Sequence, residues 1–201
     1  MRVRVLLAGL AAACCCAAVQ AAGEQQRRLA AELVVMAGDA RRLAAGTGGP
    51  LEREGLVKRL DGALSSLPLQ LRRADGDARP VAALRASLVR GDWRAFAATL
   101  APLKQRHVFD PRSLLIAAPK PEMLALGASI HRTTCAGCHD AAGGDTLLPA
   151  FDLSRQLKSM PREEFAARLL LGVRGDRSTA WRNPFSDAEL AALIAWYASA
   201  R

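Results

Sequence analysis

Aromatic side chains are scarce in this chain. Five Phe, three Trp and one Tyr make up 4% of its 201 residues, while alanine and leucine dominate. That balance favours helices over a β-rich fold. No low-complexity tract is present, and a composition 51% hydrophobic and 23% charged excludes a disordered chain and a collagen-like one. Beyond residue 21 no run is apolar enough to span a bilayer. No pattern of a hydrolytic triad or of a phosphate-binding loop occurs either.

Five cysteines are present, an odd number that looks at first like two disulfides and a free thiol. Three of them, Cys14, Cys15 and Cys16, lie in the uncharged run from Val5 to Val19, behind Arg2 and Arg4. A basic flank, an apolar core and small residues at Val19 and Ala21 describe a secretory leader over residues 1–21, cut after Ala21. A retained membrane anchor is one alternative, but the run falls short of the roughly 20 apolar residues of a span. A lipoprotein cut before Cys14 is another, although Ala11-Ala12-Ala13 lack the bulky aliphatic usual upstream. The mature protein is then periplasmic or otherwise exported, with no transmembrane segment. Loss of Arg2 and Arg4 lowers the formal charge from +9 to +7, of which +5 falls in residues 22–111. The arginines are spread along helices, so they read first as solvated faces. In an exported protein they suit an acidic partner better than nucleic acid.

An all-α fold in two parts is expected. Residues 22–107 read as a small helical bundle of unassigned role. From Glu24 to Gly46 the positions Leu29, Leu33, Met36, Ala40 and Leu43 form one helical stripe. Gly46-Thr47-Gly48-Gly49-Pro50 breaks it, and Leu56, Leu60, Leu64 and Leu67 form a second stripe that Pro68 should kink or end. Pro80 opens a third helix with Val81, Leu84 and Leu88 inside and Gly91 at its close. Asp92 caps a fourth, which carries Trp93, Phe96, Leu100 and Leu103. Short turns between such helices suggest an antiparallel bundle. Residues 108–121, with Pro111, Pro119 and Pro121, read as a stiff linker. Six of the nine aromatics then fall between Phe151 and Tyr197, where a large flat cofactor would need apolar walls.

The remaining cysteines stand in Cys135-Ala136-Gly137-Cys138-His139. Cysteines three apart at a helix end project to one side. Two such thiols can add to the two vinyl groups of haem, and the adjacent imidazole can then bind the iron as proximal ligand. This is the attachment pattern of a single covalent haem c. Export agrees with it. A structural zinc site would need four ligands, and the only other histidines, His107 and His131, are isolated. A thioredoxin-like pair would want a βαβ setting that this helical sequence lacks. A structural disulfide leaves His139 without a purpose.

Residues 122–201 resemble a class I, single-haem cytochrome c domain. Gly127-Ala128-Ser129-Ile130-His131 precedes Cys135 as that family's N-terminal helix does. Ser186-Asp187-Ala188-Glu189, a capping box, opens a run with Leu190, Leu193, Ile194, Trp196 and Tyr197 that matches its C-terminal helix. The resemblance implies that the two helices cross at Gly127, with Trp196 against Gly127 and His131. His131, where the family usually has Phe or Tyr, is then a packing residue. It also implies that Pro149 is the proline whose carbonyl accepts a hydrogen bond from the axial histidine. Pro161, Glu163 and Glu164 start a further helix, with Phe165 and Leu169 on its inner face and the acids suiting its dipole.

The sixth ligand departs from the family. Alignment on Trp181 and the last helix puts Ser178 where a methionine is usual. Met160 is the nearest substitute, although a staple contact before a helix is its simpler role. His107, His131 and Met123 are weaker candidates, and an open or water-bound distal side is the remaining option. The resemblance implies an exported electron carrier, or the haem subunit of a periplasmic or membrane redox system, and not an enzyme. Its partner would be a redox protein, acidic or membrane-bound. A haem-based gas or redox sensor with an open distal site is the alternative, and a small peroxidase a more distant one. The Ala37-Gly38-Asp39 turn of the bundle resembles helical segments that precede cytochrome domains in iron-permease systems.

Overall fold

In the computed structural model the backbone is described for residues 2–74, 76–140, 150–172 and 184–199, and side chains from residue 23 onward. All regular structure among the described residues is helical. The first helix, α1 (Arg2–Ala44), does not start near Glu24 but runs unbroken from Arg2. The alanine- and leucine-rich stretch before Glu24 has high helix propensity and no proline to stop it. Ala37-Gly38-Asp39 is accordingly a helical segment, not a turn. No described helix is long and apolar enough to cross a membrane.

Helices α2 (Pro50–Ala74), α3 (Pro80–Arg90) and α4 (Trp93–Arg106) complete a ring in which α1 packs on α2 and α4, and α3 packs on both. Its core holds every stripe residue expected to be internal from Leu29 to Leu103, except Leu56 and Trp93, which pack at its edge. Gly91, in the left-handed region at φ 65°, ends α3, and the Asp92 N–H returns to the Ser87 carbonyl at 2.9 Å. The Asp92 side chain then accepts from the Ala95 N–H at 2.9 Å and starts α4.

Pro68 neither ends nor breaks α2. A proline there leaves the Leu64 carbonyl without its helical donor. The Arg85 guanidinium of α3 supplies one across the helix pair, at 3.1 Å. The exposed arginine that looked like surface charge thus repairs the helix.

The second core is built from α5 (Pro121–Ile130), α7 (Leu153–Ser159), α8 (Arg162–Leu171) and α9 (Asp187–Ser199). Between α5 and α7 lie a π-helical turn, His131–Cys135, and the short α6, Ala136–His139. Helix α1 enters this core too. Ala30, Ala31, Val34 and Val35 pack there, while Leu29, Leu33, Met36, Ala40 and Leu43 face the bundle. At about 100° per residue the two sets lie on opposite sides of the helix. The segment 108–121 is no free tether either, since Phe109 and Leu114 are buried in the second core.

Candidate functional site

Helices α5 and α9 cross so closely that a Cβ at Gly127 would collide with the Ala192 carbonyl and lie 2.8 Å from Trp196 Cβ. The expected crossing at glycine is therefore present. Ser186 and Glu189 form the expected capping box at the start of α9. The Ser186 N–H donates to Glu189 Oε2 at 2.8 Å, and the Glu189 N–H donates to Ser186 Oγ at 3.4 Å. The Ser186 hydroxyl, donating to Glu189 Oε2 at 2.7 Å, and then the Ser186 N–H hold the Glu189 carboxyl below its usual range.

Directly after the crossing the chain widens into the π-turn, a feature that recurs beside functional sites. Cys135 closes this turn and Cys138 and His139 follow on α6, so the three candidate residues sit on one continuous piece of backbone. Cys135 is half-buried, Cys138 is exposed, and both are free thiols. Burial pushes the Cys135 thiol up, and the nearby Tyr197 hydroxyl only partly opposes this. Tyr197 is itself pushed well above the usual phenol range, first by burial and then by the adjoining Cys135.

The His139 ring is fixed from one side. Its Nδ1 lies 2.6 Å from the carbonyl oxygen of Phe151. A carbonyl only accepts, so Nδ1 carries the proton and Nε2 keeps a free lone pair. Sequence reasoning assigned such an acceptor to Pro149, which lies outside the described residues, as does Ser178. It did not find Phe151, because a backbone acceptor leaves no mark in residue type. The Phe151 side chain is exposed.

His131 is buried, and both of its nitrogens are engaged. Nδ1 is 3.0 Å from Tyr197 Oη and Nε2 is 2.9 Å from Asp140 Oδ1. Its ring lies over Trp196 with centroids 4.4 Å apart. It is a packing residue at the crossing, as expected, but one wired into a polar chain. His107 caps α4, its N–H donating to the Leu103 carbonyl. Met123 is half-buried on α5. Met160 ends α7 and packs on the same core as Phe165, as a staple residue would, while its Sδ lies 3.9 Å from Arg42 Nη2.

That contact opens onto a cluster of buried charge invisible in the sequence. Asp39 of α1 is fully buried and pairs with Arg59 of α2, Arg168 of α8 and, at 3.0 Å, Arg42. Glu164 of α8 is buried too and meets Arg41 and Arg42 at 2.5 Å and Arg168 at 2.8 Å. It does not sit in solvent at the helix start as its position suggested. Gly38 makes room for it, since a Cβ there would collide with the Glu164 carboxyl. Arg59 also reaches Glu32 at 2.9 Å, while its Nη2 is buried without a hydrogen-bond partner.

Among the described residues no group of three metal-ligating side chains assembles, so the zinc alternative gains no ligand set there. No protein-family model, curated protein or solved structure matches this chain.

Proposed function

We propose that this chain is an exported c-type cytochrome, a single-haem electron carrier or the haem subunit of a periplasmic or membrane-bound redox system. The observation that carries the reading is the His139 ring, held through Nδ1 by the Phe151 carbonyl so that Nε2 is free to donate. Two free thiols stand on the same turn, Cys135 and Cys138. That donor set fits one covalently attached haem: two thioether positions and one imidazole whose orientation is fixed from behind. Bound haem would supply a one-electron iron couple. The protein would anchor it, set the imidazole and wall it from water, with no substrate bond made or broken by side chains. The redox partner would be acidic or membrane-bound, drawn by the basic surplus, and not a nucleic acid. The bundle would hold that partner or join the chain to a larger complex.

One observation favours a second reading. The Met160 sulfur faces the Arg42 guanidinium, not open space. A distal side without methionine would lower the potential and admit small ligands, as in a gas or redox sensor. A peroxidase reading has no distal His or Arg arrangement behind it.

The test is the absorption spectrum of the exported protein after denaturation in alkaline pyridine. Haem that stays with the polypeptide through two thioethers is expected, with the spectrum of a one-thioether haem in Cys135→Ala or Cys138→Ala. Haem extractable into acidic organic solvent from the wild-type chain would refute the reading. Carbon monoxide binding to the reduced protein at low concentration would favour the sensor. A sulfur-to-iron charge-transfer band lost in Met160→Ala would refute the open distal side.

A further inference from the structure

The segment that carries Cys135, Cys138 and His139 is closed at its two ends by one side-chain hydrogen bond. Its start, His131, is buried at the α5–α9 crossing. There its ring lies 4.4 Å from that of Trp196 and meets the Tyr197 ring edge-on at 5.5 Å. Its end, Asp140, follows His139 directly and is exposed. A carboxylate only accepts, so the His131 Nε2–H donates to Asp140 Oδ1, at 2.9 Å and across nine positions of chain. The other ring nitrogen, Nδ1, meets the Tyr197 hydroxyl at 3.0 Å. The Asp140 N–H donates in turn to the Ala136 carbonyl at 3.0 Å, so the residue beside His139 is held by main chain and side chain alike. A phenyl ring at position 131 would stack on Trp196 equally well, but it has no donor for Asp140.

We propose that the His131–Asp140 bond is a staple that closes this segment and fixes the backbone under His139, making His131 a positioning residue for the His139 ring. Two tethers of different origin then act on that ring. The Phe151 carbonyl takes its Nδ1 proton at 2.6 Å and sets its rotation. The staple sets where the ring stands relative to the helix crossing. His131 cannot drift, because Trp196 and Tyr197 of α9 hold it on two sides. The direction of His139 is thereby referred to the packing of α5 on α9, and not to its own short turn alone. The use of this to an iron ligand rests on the function proposed above: an imidazole already fixed in its plane binds without having to reorient.

The test starts from the haem-free full chain, kept reduced, with the His139 ring followed by long-range proton–nitrogen NMR correlation. It is run at about pH 8.5, above the ordinary histidine value of about 6.5. The wild-type ring is expected to hold its proton on Nδ1, as the bond to Phe151 requires. In His131→Phe, and in Asp140→Ala at an exposed position, the ratio of Nδ1–H to Nε2–H forms should fall about two- to tenfold, the worth of one net hydrogen bond. Asp140→Asn keeps an acceptor oxygen for His131 Nε2 and should restore the ratio. Leu64→Ala, a cavity in the bundle core, should lower stability and leave the ratio unchanged. Equal ratios in wild type, His131→Phe and Asp140→Ala would overturn the staple, and so would an equal fall in Leu64→Ala. Covalent haem in the exported chain is scored separately. Where it is attached, the haem methyl shifts of the oxidised protein, which follow the imidazole plane, should move in His131→Phe. A working staple without attached haem would sink only the function proposed above, and attached haem with His139 unmoved in the variants would sink only the staple.

Discussion

Two glycines inside helices answer the same substitution with opposite signs. At Gly62, in the interior of α2, a Cβ would meet nothing within 4 Å. Gly62→Ala should therefore express only the backbone gain, a stabilisation of about 0.5–1 kcal/mol. At Gly127 the added carbon would run into the backbone carbonyl of Ala192 and lie 2.8 Å from Trp196 Cβ. A carbonyl inside α9 cannot swing aside as a side-chain end can, so the two helices must part. Overpacking of this kind costs about 1–3 kcal/mol, and the rigid obstacle puts Gly127→Ala toward the upper part of that range. After the helix gain is subtracted, a net loss of about 1–2 kcal/mol remains. In a chain of this size that is a fall in melting temperature of roughly 2–8 °C, against a rise of about 1–4 °C for Gly62→Ala. Thermal unfolding followed by circular dichroism measures both. Stabilisation by Gly127→Ala equal to that of Gly62→Ala would mean that α5 and α9 are not in close contact, and the reasoning about the site they carry would fail with it.

Asp39→Asn should cost about 3–5 kcal/mol in urea unfolding, because it leaves Arg168 and Arg59 buried against a neutral amide. The Asp187 carboxyl, which ties α9 to α1 through Arg27 at 2.8 Å, is raised by burial but lowered more by hydrogen bonds from Arg27 and Ser113, for a net depression. A depressed carboxyl stabilises the fold above its unfolded value near 3.8 and loses that contribution as pH falls through the folded value. Asp187→Asn should therefore unfold slightly earlier than wild type at pH 6, by at most about 1 kcal/mol, and the difference should shrink as pH is lowered below 3.8. A chain beginning at residue 108 should not fold on its own, because it lacks the α1 face of Ala30, Ala31, Val34 and Val35 and strands Glu164 and Arg168 without Asp39. Sharp, dispersed amide NMR signals from that fragment would contradict this.

What was legible in the sequence is what leaves a periodic or local trace. The stripe from Leu29 to Leu43 repeats at alternating four and three, so the bundle face of α1 could be read directly. The capping box at Ser186 and the glycine at the α5–α9 crossing are likewise local. The opposite face of α1 was missed because Ala30, Ala31, Val34 and Val35 are small and interleaved with the leucine stripe, and alanine carries little burial signal. Pro68 misled because local sterics do not report a donor arriving from 17 residues downstream. Asp39, Glu164 and Arg168 read as surface charge since each pairs across long separations, up to 129 residues between Asp39 and Arg168. At the candidate site the three residue identities were plain, whereas the His139 acceptor is a main-chain oxygen that any residue could have offered.

The misread face of α1 changes what the N-terminal helices can do. Had residues 22–107 been a separate bundle on a linker, a partner seated there could act on the C-terminal core only by proximity. Instead one rigid helix carries both cores, and Asp39, Arg41 and Arg42 bind α8 directly. Buried ion pairs of this kind add little net stability compared with well-packed apolar side chains, but they tolerate misalignment poorly, because an unpaired buried charge is costly. The cluster therefore fixes the register of α1 against α8 more than it strengthens the contact. Met160, at the end of α7 just before α8 and in contact with Arg42, is held to the same register. A shift of α1 by one turn, about 5.4 Å, would separate Gly38 from Glu164 and Asp39 from Arg168 together. The bundle and the core beside Cys135 consequently move as one body or unfold as one.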